Sequence, residues 1–284
     1  MRVKVIRKPC RFLTPNSNLT RIILKLYRYI IRRNDFIIIS DKALSTAYGY
    51  IYDEARINAD LINKAFTYLT SRIFWGKIFY KPFSNELLHI LREADIELLT
   101  KHKKLALIYG GVKHVIKPVS EAGIDTTNLP YNYVSLPIPL NRLKQIIDEL
   151  YEELNRNLNK DVNVLVIDTD KTFKPKTLNS IAFSTRPSNV KGIIDLGGIA
   201  YFIGKRFRSY FYEYPTPVDY RGTKIGLNML LQLSGIVEKF RGYGLGRNIR
   251  EVTLNLGYQN YSAVKWRDLL RVKHYPIVIA RICT

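Results

Sequence analysis

The chain has 284 residues, 46% of them hydrophobic and 12% aromatic, which suits one large globular unit or two smaller ones and excludes a disordered chain. Its 45 Lys and Arg against 24 Asp and Glu give a formal charge of +21. That balance favours anionic partners: nucleic acid, nucleotides, phosphorylated metabolites or an acidic membrane surface. Two cysteines, Cys10 and Cys283, exclude a zinc spacing and any disulfide framework beyond a single terminal link.

In chain order, residues 1–34 carry ten Lys or Arg and no acid. Residues 18–33 have helical spacing, with Leu19, Ile22, Ile23, Leu26, Tyr27 and Ile30 on one face and Arg21, Lys25, Arg28 and Arg32 on the other. Such a face is a solvated helix surface or a contact for nucleic acid or membrane. Phe36–Ser40 reads as a short buried strand, followed by the polar and small segment DKALSTAYGY. Residues 54–105 read mostly as helix. Residues 104–109 and 112–116 read as two strands around a Gly110-Gly111 turn. Residues 141–158 form the clearest amphipathic helix, leading into a buried strand at 162–167 that stops at Asp168. Helix then strand is half of a crossover unit. The last strand-like segment is 275–282, and the proline-containing loop 129–140 is the candidate subdomain boundary. No apolar run is long enough to span a bilayer and the N-terminus lacks a signal-peptide centre, so a cytoplasmic protein is expected.

Two segments share an oxygen-rich theme. Asp125 lies in a glycine-containing loop, and Asp168 with Thr169 follows the buried strand. Hard divalent cations take one or two carboxylates, with phosphate oxygens and water completing the shell. Aspartates are also common in turns for backbone hydrogen-bonding reasons. A third segment, KFRGYGLGR at 239–247, combines glycines that let backbone approach a phosphate with Lys and Arg that neutralise it. It lacks the Gly-Lys-Ser/Thr ending of a P-loop, and it also suits an RNA-contacting loop or a plain flexible turn. The histidines at 89, 102, 114 and 274 have no ligand spacing.

The order of these segments resembles the coenzyme F420-0:L-glutamate ligase (γ-glutamyl ligase) family. DFIIISDKALSTAYGY is similar to the family's strand and Ser-Lys-Ala-Glu-Gly-Arg-like segment, SEAGIDTTN to its Asn-Ala-Gly-Ile-Asp-x-Ser-Asn loop, and VLVIDTDKTF to its strand ending in Asp-Thr. LNSIAFS, RGYGLGR and YPIVIAR resemble further family segments. The resemblance implies a mixed α/β fold of sheets flanked by helices in two subdomains, a single family domain over 1–284, and a homodimer. It implies GTP as phosphoryl donor, Mg²⁺ or Mn²⁺, and amide ligation of glutamate to an anionic small-molecule carboxylate through an acyl phosphate. By position it implies Asp125, Asp168 and Thr169 at the metal. Ser40, Lys42, Asn128, Gly242, Gly244 and Gly246 would lie at the nucleotide.

The chain departs from the family pattern at Thr46, Ala47, Tyr48, Gly49 and Tyr50, where only the alanine and glycine survive and a phosphate-meeting cation is missing unless Lys42 supplies it. Glu121 replaces the loop Asn, LPIPLN lacks two acids, and Tyr243 stands where some members carry an acid. Three alternatives therefore stand beside the ligase. One is a non-catalytic relative that binds a nucleotide or phosphometabolite. Another is a nucleic-acid-binding protein that uses its charge. The third is a phosphatase reading of DTDKT, with Asp168 as nucleophile and Asp170 as general acid/base.

Overall fold

The computed structural model describes residues 1–81, 83–119, 121–246 and 248–283; the side chains of Glu86 and Glu121 lie outside the described set. The fold is mixed α/β. Among the described residues a seven-stranded mixed sheet forms the centre. The N-terminal strand Arg2–Arg7 pairs antiparallel with Ile277–Cys283, which pairs antiparallel with Phe36–Ser40. Phe36–Ser40 runs parallel to the long strand Asn163–Pro175, whose other side carries Phe211–Arg221. The apolar run FIII meets VLVI in register, from Phe36 opposite Asn163 to Ser40 opposite Ile167.

Helices cover both faces. On one, Leu19–Tyr27 and Leu140–Leu158 bury Ile23, Tyr27, Leu143, Ile146, Ile147, Leu150 and Leu154 against Ile37, Ile39, Val164, Val166 and Ile279. Each of these sets follows its own period, three to four along the helices and two along the strands. Asn18 caps the first helix by accepting from the Arg21 backbone N–H at 2.8 Å. The Tyr27 hydroxyl ties the helix to the sheet, donating to the Ile277 carbonyl at 2.8 Å and accepting from the Lys8 N–H at 2.8 Å. On the other face, Leu227–Arg241 buries Leu230, Leu231, Leu233 and Val237 against Ile38, Leu165, Ile167 and Val278.

Two expectations change. Residues 104–109 and 112–116 are not strands: they belong to the helices Ile96–Gly110 and Val112–Val115. Read alone, KLALIY looks like a strand. Read from Asp95, which caps the helix through the Glu97 N–H, the buried residues Thr100, Lys103 and Ala106 recur every three. Gly111, at φ +75°, donates its N–H to the Leu107 carbonyl, so the glycine pair ends a helix instead of turning a hairpin. The strand from Asn163 does not stop at Asp168 but continues to Pro175. Its ladder with Phe211–Arg221 slips between Asp168 and Lys171, leaving Thr169 and Asp170 as a bulge. The parallel neighbour has ended by then, so the bulge opens beside the carboxyl end of Phe36–Ser40. The 129–140 segment contributes the strand Tyr133–Ser135, which pairs with Ile51–Asp53, and buries Leu129, Val134, Leu136 and Ile138.

Candidate functional site

One cleft gathers Ser40, Lys42, Asp125, Asn128, Asp168, Thr169, Gly242, Gly244 and Gly246, the residues that the family resemblance implies at the metal and the nucleotide. The strand end at Ser40 and the bulge at Asp168–Thr169 form its floor, where strand carboxyl ends of α/β sheets usually hold ligands. Ser40 stands at the N-terminus of the helix Asp41–Ala47, and its hydroxyl does not cap that helix.

The Asp125 loop reaches the cleft through a tight passage. Gly110 packs so closely that a Cβ there would lie 2.5 Å from the Ala122 Cβ. Gly123, at φ +82°, passes over Arg186, whose Cζ would be 2.7 Å from an added Cβ. The backbone of Asp125 then bridges Ser135, donating at 3.2 Å and accepting at 2.9 Å. Both of its carboxylate oxygens are engaged. Oδ1 accepts from the Thr127 N–H and hydroxyl, each at 2.8 Å, and Oδ2 meets the Lys42 ammonium at 2.6 Å. Lys42 also donates to the Thr127 carbonyl at 3.0 Å, so its charge is anchored to this loop.

Beneath the floor lies a buried charge network that sequence inspection does not reveal. Arg186, 1% exposed, places Nη1 between Asp41 Oδ2, at 2.6 Å, and Asp168 Oδ2. Lys117 donates to Asp170 Oδ1 at 2.6 Å. Burial works against the Arg186 charge, but Asp41 and then Asp168 hold the guanidinium firmly protonated. Burial would also raise Asp168. Arg186, Lys117 and Lys42 outweigh it and keep that carboxyl below its ordinary range. Burial prevails at Asp41, which is raised, and at Asp170, which is pushed up to about 6. Three acids against two bases leave these side chains one negative charge in excess when all are ionised. Asp41 Oδ1 and Asp170 Oδ2 are buried without a hydrogen-bond partner among the described residues.

Carboxylates and a threonine hydroxyl are hard oxygen donors that fit Mg²⁺ or Mn²⁺. Thr169 donates to Asp168 Oδ1 over 3.4 Å, a long contact. Among the described residues no group of three His, Cys, Asp or Glu forms a ready-made cage, so a cation held here would take its remaining ligands from substrate and water.

The far wall is the glycine turn after the helix Leu227–Arg241. Gly242 and Gly244 have φ of +74° and +66°, a conformation other residues adopt at a cost. Asn128 pins this turn: its Oδ1 accepts from the Leu245 N–H at 2.8 Å, and its amide reaches the Tyr243 and Gly246 carbonyls at 3.2 and 3.3 Å. Its side chain thus serves the turn as well as lining the cleft. Arg247, the last cation of the motif, lies outside the described residues. Phe12 stacks on His274 with centroids 3.8 Å apart, and with Leu13 and Pro276 they make the apolar end of the cleft. Burial lowers His274 to about 3, so the ring is neutral.

Comparison with known proteins follows the same outline. Residues 9–209 match the family described as F420-0:Gamma-glutamyl ligase. The chain belongs to this family. It is also 30% identical over 258 residues to an uncharacterized protein of Methanocaldococcus jannaschii, covering 87% of this chain and 85% of that one. Family membership supports a γ-glutamyl ligase-like function on small-molecule substrates. The match includes the Asp125 loop and the Asp168 bulge, and it stops before the glycine turn. No helix among the described residues is long and apolar enough to cross a membrane.

Sequence reasoning missed Asp41, Lys117 and Arg186; it reached Asp170 only through the phosphatase reading and Arg241 only as part of the 239–247 motif. Asp41 adjoins a chosen residue, and Asp170 lies within the motif quoted for Asp168. Arg186 and Lys117 stand in unremarkable segments, and only tertiary pairing gives them meaning.

Proposed function

We propose that this protein is a nucleotide- and divalent-cation-dependent ligase that joins glutamate to a small-molecule carboxylate. The observation that carries the reading is the convergence of Asp125, Asp168 and Thr169 with a glycine-rich turn in one cleft. In the reaction, the γ-phosphoryl group of GTP passes to an acceptor carboxylate oxygen and GDP departs. The amino nitrogen of glutamate then attacks the acyl carbon, the amide forms, the nitrogen loses a proton and inorganic phosphate leaves.

Asp125, Asp168 and Thr169 would hold Mg²⁺ or Mn²⁺, which when bound neutralises phosphate oxygens and stabilises charge as it develops. Arg186 fixes one oxygen of Asp168 and leaves Oδ1 beside Thr169. Lys42 shares Asp125 Oδ2, so it is displaced or moves toward the phosphates when that carboxylate binds a cation. The backbone of 242–246 approaches the phosphates where glycine leaves room: a Cβ on Gly242 would meet nothing within 4 Å.

A second reading, nucleotide binding without turnover, is favoured by Thr46. Its hydroxyl donates back to the Lys42 carbonyl at 2.8 Å, so it brings neither charge nor a free donor to the cleft. Incubation with GTP, Mn²⁺, glutamate and F420-0 separates the two. Ligation releases phosphate only when both acceptor and glutamate are present and adds one glutamyl residue by mass. Tight GTP binding with no phosphate release rejects the ligase and leaves the binding protein.

A further inference from the structure

Among the described residues the cleft offers few cations that can reach a ligand. Arg186 and Lys117 lie beneath the floor and do not line it, and Lys42 is anchored to Asp125 and Thr127. His274 is neutral. The remaining described cation on the wall is Arg241, the last residue of the helix Leu227–Arg241 and immediately before the glycine turn. It lies beyond the stretch, residues 9–209, that matches the family.

Arg241 is held in an unusual way for a helix end. It is 8% exposed, and its partner Glu238, one turn earlier, is 6% exposed. Nε and Nη2 both donate to a single oxygen, Glu238 Oε2, at 3.1 and 2.7 Å. The other oxygen, Glu238 Oε1, is buried with no hydrogen-bond partner among the described residues. A buried pair that leaves an acceptor unsatisfied is a poor device for stability, because desolvation offsets most of its attraction. It is a good device for holding a guanidinium still. Neither hydrogen bond uses Nη1, and the planar group presents donors in a fixed geometry matched to phosphate and carboxylate oxygens.

We propose that Arg241 is the residue that binds the phosphate tail of the nucleotide in this cleft, with Glu238 as its positioning residue. Arg241 supplies the cation that the sequence lacks at Thr46, and it supplies it from the opposite wall. The glycine turn that follows directly contributes backbone beside the same anion. The inference deepens the nucleotide reading above and rests on it.

The test is a set of calorimetric titrations of the full chain with tripolyphosphate, GTP, guanosine and glutamate. Wild type is compared with R241Q, R241K and E238Q. R241Q is expected to lose about 10- to 100-fold in affinity for tripolyphosphate and GTP alike, the range of a charge-assisted two-bond contact, with guanosine unchanged. R241K, which keeps the charge without the fork, falls between wild type and R241Q. E238Q keeps the cation but loosens it, and is expected to weaken tripolyphosphate about three- to tenfold. If R241Q does not fold, a loss of threefold or more in R241K supports the assignment.

Tripolyphosphate binding within twofold of wild type in R241Q, or in R241K where that is the folded variant, overturns it. A loss confined to glutamate also overturns it, and would give Arg241 to the acceptor carboxylate. If wild type binds tripolyphosphate through Arg241 but GTP no better than tripolyphosphate, the anion site stands and the nucleotide reading falls. Absence of binding of either by wild type removes both.

Discussion

Replacing Arg186 with methionine removes the one cation shared by Asp41 and Asp168 while keeping a long apolar stem. The guanidinium is 1% exposed and both carboxylates are buried or nearly so, hence the two acids lose the one cation hydrogen-bonded to both of them. Truncating one partner of a buried ion pair costs ~3–5 kcal/mol. Since 1 kcal/mol shifts Tm by roughly 2–4 °C for a fold approaching this size, the midpoint should drop by about 6–20 °C. Urea unfolding in chelator, followed by fluorescence of Trp75 and Trp266, reads the loss directly.

The loss should depend on pH in a defined direction. In wild type Asp168 is held below its ordinary pKa, so its contribution is present above that value and fades only as pH falls through the lowered one. In R186M burial and mutual repulsion raise both acids above their unfolded values. The folded state then takes up protons that the unfolded state does not, and the deficit shrinks between pH 8 and pH 5. A deficit under ~1 kcal/mol at pH 8, or one that stays constant to pH 5, would refute the claim that Arg186 neutralises this pair.

Other predictions concern the scaffold. Gly204→Ala places a Cβ 2.2 Å from the Phe173 ring, so despite the better helix propensity of alanine it should destabilise by ~1–3 kcal/mol in the same urea assay. Tyr27→Phe removes the hydroxyl shared by Lys8 and the Ile277 carbonyl and should cost ~1–3 kcal/mol, with faster amide exchange at Lys8. His274 is lowered to about 3 from an ordinary 6.5, so the unfolded chain binds its proton first. Its contribution is full above pH 6.5 and is lost as pH falls toward 3. His274→Gln should flatten the pH–stability curve in that window, and an unchanged slope would show the ring to be solvated.

Asp125, Asp168, Thr169 and the glycine turn were legible because each motif is local: a few residues in a row announce oxygen donors or free backbone. Phe36–Ser40 and the helix beginning at Leu140 were legible from periodicity alone. The charge network was not. Arg186 lies 145 residues from Asp41 along the chain, and Lys117 lies 53 from Asp170, so only folding reveals that they meet. The misread region at 104–116 fails for the opposite reason. A short apolar run satisfies both periods, and the deciding signals, the Asp95 cap and the Gly111 stop, lie outside it. In the long strand from Asn163 the polar residues 168–170 read as an end, although the strand runs on to Pro175. Phe211–Arg221 pairs with it on both sides of the bulge and carries the ladder past Asp168.

The most direct measurement is a calorimetric titration of GTP into wild type and Asp168→Asn, each with Mn²⁺ and with chelator. Asp168→Asn keeps the side chain's shape and leaves the Arg186–Asp41 contact in place. Mn²⁺ is expected to tighten GTP binding at least tenfold in wild type and to have no effect in the variant. Equal Mn²⁺ dependence in both proteins, or none in wild type, would contradict a cation site at the bulge and with it the chemistry assigned to this cleft.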